Sequence, residues 1–156
     1  MTFNIKFGPA GTSGSKDEGF ILVKKAGLDA VEIEFVYQVW MTKDDAEKIK
    51  ELNKKLNLIL SIHAPYYINL NSKEPQKIAA SRSRILKCCE IGTILGAKYV
   101  VFHPGFYQKD SPEKTFEKIK EQILKIMQEA KEKGYIPELA PETTGKQSQF
   151  GDLDEL

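Results

Sequence analysis

Hydrophobic and polar residues alternate in five short stretches of the chain, and between them run segments whose apolar residues recur every three or four positions. Phe3–Phe7 sets Phe3, Ile5 and Phe7 against Asn4 and Lys6, and Gly8-Pro9 ends it, which predicts a first strand. Ala30–Val36 alternates Val31, Ile33 and Phe35 with Glu32 and Glu34. Leu58–His63, Lys98–His103 and Tyr135–Glu142 complete the predicted strands. Pro137 and Pro141 remove ladder donors from the last of them, so its pairing should be irregular toward both ends.

Helices are predicted between the strands. Ser15 and Glu18 have capping-box spacing ahead of a short helix that Gly27 can close, and Thr42 with Asp45 marks a second start before the stripe Ala46, Ile49, Leu52 and Leu56. A long helix is predicted over roughly Lys77–Leu95, ended by Gly96. Another begins at Ser111 as N-cap and Pro112 as first helical residue, with Phe116, Ile119, Ile123, Met127 and Ala130 as its buried face and Gly134 at its end. The closing residues Asp152–Leu156 read as the first turn of a fifth helix.

Strand and helix thus alternate four times before a final strand, which argues for a parallel sheet with right-handed crossovers. Two architectures satisfy this order. Length favours an open doubly wound sheet, because a (β/α)8 barrel takes about 250 residues. The face pattern favours the barrel: Lys6, Glu32, Glu34, Ser61, His63, His103, Glu138 and Glu142 share one parity, whereas strands of an open sheet covered on both sides should be apolar on both faces. The fold class is therefore α/β of the (β/α)8 TIM-barrel type, incomplete at about four and a half βα units. Residues 1–156 form the N-terminal part of a single barrel domain. Lys6 is expected to meet Glu32 or Glu138 inside the lumen, since an unpaired buried charge is costly.

Composition changes this picture little. The 156 residues are 41% hydrophobic and 29% charged with a net charge of +1, ordinary for one globular domain and unlike a generally basic nucleic-acid-coating protein. The N-terminal MTFNIKFGPA lacks the apolar run of a signal peptide, and no stretch is long enough to span a bilayer, so the expected location is cytoplasmic with no membrane partner. Cys88 and Cys89 are adjacent in a helical pattern where side chains diverge, and are read as buried free thiols.

The candidate chemistry lies at three predicted strand ends. SIHAPYYIN, VFHPG and LAPETTG deliver His63, His103 and Glu142, and they contain both histidines of the chain. Side by side, these ends would assemble a His, His, carboxylate set of the kind that binds zinc with one position left open. Carboxyl ends of parallel strands carry the active sites of barrels and open α/β sheets alike. The loop PYYINL is unusually apolar and aromatic for an exposed connection, and Gln38 and Trp40 stand in the loop after the second strand. Asn69 can stabilise its own loop through the backbone.

HAPYYINL, FHPG and PETTGKQSQFG, in that order at successive strand ends, resemble the signature segments of the endonuclease IV family, zinc-dependent enzymes that cleave DNA at abasic sites. The resemblance covers essentially the whole chain but only the N-terminal half to three-fifths of a family member. It implies a TIM barrel and zinc binding by His63, His103 and Glu142, with Glu142 a catalytic carboxylate bridging two of three zinc ions. It also implies Tyr66 and Tyr67 as contacts to double-stranded DNA at the abasic site, with Gln38 and Trp40 as weaker candidates by loop position. The family's remaining ligands have no counterpart before Leu156, so at most one or two partial zinc sites are expected here. The chain then reads as a fragment, or as a half-barrel whose open sheet edges invite self-association. Two other functions fit the residues: a metal-dependent sugar isomerase or epimerase of the xylose-isomerase-like group, and a non-catalytic zinc-binding half-barrel.

Overall fold

The alternation of the strands appears in the fold as two unlike faces of one sheet. The computed structural model describes residues 5–12 and 16–156. In chain order the elements are α1 (Lys16–Lys25), β1 (Ala30–Glu34), α2 (Lys43–Leu56), β2 (Ile59–His63), α3 (Pro75–Leu95), β3 (Tyr99–Phe102), β4 (Gly105–Phe106), α4 (Pro112–Glu132), β5 (Glu138–Pro141), β6 (Gln149–Phe150) and a 3-10 turn at Leu153–Glu155. β1, β2, β3 and β5 form one sheet in that order, and each neighbouring pair is parallel. Val31, Ile33, Leu60, Ile62, Val100 and Phe102 point to the helix side and are buried in the main core. Each fully buried side chain of this size stabilises the fold by about 1.5–3 kcal/mol. Glu32, Glu34, Ser61, His63, His103 and Glu142 occupy the opposite parity. The result is a partial (β/α) barrel with helices outside and a polar inner wall.

Local signals set most boundaries. Thr42 caps α2 in a full capping box with Asp45: the Asp45 amide donates to Thr42 Oγ1 and the Thr42 amide to Asp45 Oδ2, both at 3.1 Å. Asn57 at φ 53° ends that helix and Gly96 at φ 76° ends α3. α3 starts at Pro75, two residues before the sequence expectation. Ser111 caps α4 ahead of Pro112 as expected, whereas Ser15 lies outside the described residues. Strand β5 spans Glu138–Pro141, shorter than the expected Tyr135–Glu142, and the capped 3-10 turn stands where a helical turn was expected.

Three expectations are corrected. Of the predicted first strand, Phe3 and Asn4 lie outside the described residues, and Ile5–Phe7 form no strand and are exposed. Instead, residues 7–11 run along the β1 edge through a few bonds: Asp29 and Ala30 amides donate to Phe7 O, the Glu32 amide to Pro9 O, and the Gly11 amide to Glu32 O. Pro9 has no amide to extend the ladder. Gly8 passes so close to β1 that a Cβ there would lie 2.0 Å from Ala30 O. The ion cluster at Lys6 does not form either: among the described residues no ion pair joins Lys6 to Glu32 or Glu138. Lys6 and Glu138 are exposed and Glu32 accepts from Ser61 Oγ at 3.1 Å. A lumen open to water removes the penalty that would have forced the pairing.

The third correction concerns α4. Its buried face is Thr115, Ile119, Ile126 and Ala130, while Phe116 and Met127 are 39% and 52% exposed. The apolar arc of this helix is wider than the sheet it covers. Phe116 and Ile123 instead border an apolar groove of about 180 Å³ with Leu124, Pro141, Phe150 and Leu156.

Cys88 and Cys89 are free and fully buried in α3. Burial pushes the Cys88 thiol far up and Cys89 to about 12. Because only the thiolate reacts, a thiol-specific chromogenic reagent should label neither cysteine in the native protein and both in denaturant. Rapid labelling of the native protein would contradict the packing of α3.

Candidate metal centre

The hydrogen-bond ladders of the sheet continue past the strand ends and hold the site loops in place. The Phe35 amide donates to His63 O at 3.0 Å, the Ala64 amide to Val101 O at 2.8 Å, and the Glu142 amide to Phe102 O at 2.9 Å. His63 is therefore the last residue of β2, while His103 and Glu142 each follow their strands by one. These neighbours in the sheet order converge: one potential ligand atom from each of His63, His103 and Glu142 lies within 4.8 Å of the others. Among the described residues this is the one cluster of three or more potential metal ligands.

The atoms around the cluster suit a cation. His63 Nδ1 donates to Ala64 O at 2.8 Å, which leaves Nε2 as the nitrogen turned toward the cluster, 2.9 Å from Glu142 Oε2. His103 Nε2 lies 3.5 Å from the same carboxylate oxygen. Donors 2.0–2.1 Å from a tetrahedral zinc stand about 3.3 Å apart, so these separations bracket the required value. The backbone bond at Nδ1 fixes the tautomer and orientation of His63 as an outer-shell partner does in metal sites. His63 is buried and His103 half-buried, whereas the Glu142 side chain is 44% exposed and opens the cluster to the lumen.

Around it stands an aromatic wall. Tyr66 stacks on His103 at 6.5 Å between centroids and 16° between planes, and Tyr67 lies 6.4 Å from Tyr37. Tyr66, Tyr67 and His103 line a groove of about 830 Å³ that also takes in Arg84, Lys77 and Lys146. Of the remaining candidates, Gln38 is exposed in the loop after β1. Trp40 pins that loop, its Nε1 donating to Glu34 O at 3.1 Å and its ring meeting the Phe35 edge at 5.5 Å. Neither lines the groove. Tyr37 and Arg84 were absent from the sequence reading; Tyr37 carries the same loop-position signal as Gln38, but Arg84 sits on a helix face with no local signal.

The short antiparallel pair β4–β6 was also missed. It ties the loop after His103 to the segment after Glu142, with Gly105 opposite Phe150 and Phe106 opposite Gln149. Thr144 and Gly151 close the base of that segment through an amide-to-carbonyl bond of 2.9 Å. Asn69 stitches the Tyr66–Tyr67 loop to it, its Oδ1 accepting from the amides of Asn71 at 3.2 Å and Phe106 at 3.4 Å.

Outer helices, parallel strands and convergent imidazoles and carboxylate at the carboxyl ends define a barrel wall with a candidate metal centre. The chain belongs to the xylose isomerase-like TIM barrel family, whose model matches residues 20–156. It is 43% identical over 152 residues to an uncharacterized protein of Methanocaldococcus jannaschii, covering 96% of this chain and 55% of that protein. It is 32% identical over 91 residues to a probable endonuclease 4 of a Geobacillus species, covering 52% of this chain and 30% of the relative. Among solved structures, endonuclease IV from Thermus thermophilus matches 94% of this chain and 55% of its own at a TM-score of 0.73 and 24% identity. A D-tagatose 3-epimerase-like protein matches with a TM-score of 0.75 at 18% identity, over 94% of this chain and 56% of its own. At these identities the two structures establish the fold. The chain spans about half the length of the protein from M. jannaschii and of both structures. Among the described residues no helix is long and apolar enough to cross a membrane.

Proposed function

We propose that the chain supplies one wall of the active site of an abasic-site endonuclease of the endonuclease IV type, which hydrolyses the DNA phosphodiester 5′ to the lesion with zinc. The observation that carries this reading is the junction of two features: a His63, His103, Glu142 cluster whose His103 lines a groove faced by two exposed tyrosines. An extruded nucleotide needs a surface that replaces lost stacking. Tyr66 and Tyr67 offer that surface, 51% and 61% exposed beside the ligands. The likeness to proteins named endonuclease 4 supports the same reading.

In this reading His63, His103 and Glu142 would hold zinc. Zinc there would supply Lewis acidity and an activated water near neutral pH. The chain's own residues orient the ligands through Ala64 O and the strand-end amides. They also keep the lesion side of the duplex against the tyrosines, with Gln38 and Trp40 at the loop margin. A barrel completed around this wall and supplied with Zn²⁺ is expected to nick a duplex carrying one central abasic site, and His103→Ala to lower that rate more than about 100-fold. Epimerisation of a ketohexose by the wild type, with the lesion duplex left intact, would overturn this assignment.

A further inference from the structure

A second concentration of charge lies on the same rim of the sheet, where the connections after β2 and β3 meet. Asp110, immediately before the α4 N-cap, has a side chain only 9% exposed, and three ammonium groups converge on it. Lys73 and Lys118 bind Oδ2, the latter at 2.9 Å, and Lys114 binds Oδ1 at 2.9 Å. Their hydrogen bonds, led by that of Lys73, hold the Asp110 carboxyl well below the usual carboxylate range, so it stays ionised and contributes one negative charge. Lys109 is exposed beside it, and Glu113 in the first turn of α4 is the other acid nearby. Three lysines therefore meet one carboxylate in a chain whose net charge is only +1.

Three ammoniums around one carboxylate leave a local excess of positive charge that a further anion can share. Each lysine head has three donors, and the side chains of Lys73, Lys114 and Lys118 remain 48%, 61% and 39% exposed. The cluster is also fixed relative to the groove. Asn71 Nδ2 donates to Phe106 O at 2.9 Å and Tyr107 O at 3.0 Å, locking the connection that carries Lys73 to the one that carries Asp110. Asn69 and Phe106, on the near side of this lock, line the groove beside His103.

We infer that Lys73, Lys114 and Lys118 form a binding site for the phosphodiester backbone of duplex DNA, away from the lesion and independent of the metal. This rests on the proposed function for the identity of the ligand. Such contacts position the duplex and carry no sequence or lesion information. They should appear in the salt dependence of binding, at a slope of about 0.9 per phosphate neutralised.

The test is binding of a 20-base-pair duplex, with and without an abasic site, by fluorescence anisotropy in a metal chelator over a series of salt concentrations. The double variant Lys73→Gln/Lys118→Gln is expected to weaken binding of both duplexes equally and to flatten the slope by about 1–2. Lys73→Arg/Lys118→Arg should restore wild-type behaviour, and Asp110→Asn, which removes the competing carboxylate, should tighten binding to both. An unchanged slope in the glutamine variant, a loss confined to the lesion duplex, or no binding by the wild type overturns the inference. So does weaker binding by a folded Asp110→Asn variant, the outcome expected if the lysines only staple two loops. Because no metal is present, this result is independent of cleavage: lost nicking with the slope change intact sinks the endonuclease reading alone, and the converse sinks only the phosphate site.

Discussion

Glu142→Ala is expected to weaken zinc binding more than about 100-fold, the upper end of what removal of an outer-shell partner costs, because here a ligand itself is lost. The carboxylate is the hub of the cluster. Glu142 Oε2 faces His63 Nε2 at 2.9 Å and His103 Nε2 at 3.5 Å, so its removal leaves two imidazoles with no oxygen between them. Glu142→Asp, one methylene shorter, retracts the oxygen from both rings and should fall between the wild type and alanine. Competition against a chromogenic zinc chelator measures all three. Equal affinity for wild type and Glu142→Ala would show that zinc binds elsewhere.

Gly105→Ala is expected to cost roughly 2–6 kcal/mol of folding stability, the sum of about 1–3 for backbone strain and about 1–3 for overpacking. Gly105 has φ +148°, and a Cβ there would lie 2.6 Å from Asn69 Oδ1 and 3.1 Å from the Leu70 amide nitrogen. Asn69 cannot swing aside freely, because Oδ1 already accepts from the Asn71 and Phe106 amides. The Leu70 amide is likewise held, donating to Pro104 O at 2.9 Å. Relief requires the Tyr66–Tyr67 loop to part from the segment after His103. Denaturation midpoint and zinc affinity should therefore fall together in this variant. A stable Gly105→Ala protein that binds zinc normally would show that the two loops are not coupled as described.

Much of the fold was legible because burial on one face of each strand leaves a period of two. Val31, Ile33, Ile62, Val100 and Phe102 announced the helix side, and the charged residues between them announced a lumen. The convergence of His63, His103 and Glu142 was legible for a related reason: each stands at the carboxyl end of a predicted parallel strand. What escaped has a common cause, since it depends on contacts that sequence does not record. Residues 5–7 alternate as a strand does, yet Gly8-Pro9 and a close approach to Ala30 leave only scattered bonds at the β1 edge. In the α4 stripe Ile119 and Ala130 lie on the buried face, whereas Phe116 and Met127 give way to their neighbours Thr115 and Ile126 because the apolar arc is broader than the available sheet. β4 and β6, at two residues each, are too short to show any period. Lys73 and Asp110 are separated by 37 positions and meet only because Asn71 locks their connections together.

The most direct test of the metal centre is zinc-edge X-ray absorption on the protein loaded with one equivalent of Zn²⁺, compared with the His63→Ala/His103→Ala/Glu142→Ala variant. The expected wild-type spectrum has two imidazole nitrogens at about 2.0–2.1 Å and oxygen completing a four-coordinate shell, with the imidazole signature gone in the variant. A wild-type spectrum without imidazole, or one that the triple replacement leaves unchanged, would contradict the assignment of His63, His103 and Glu142 as the site.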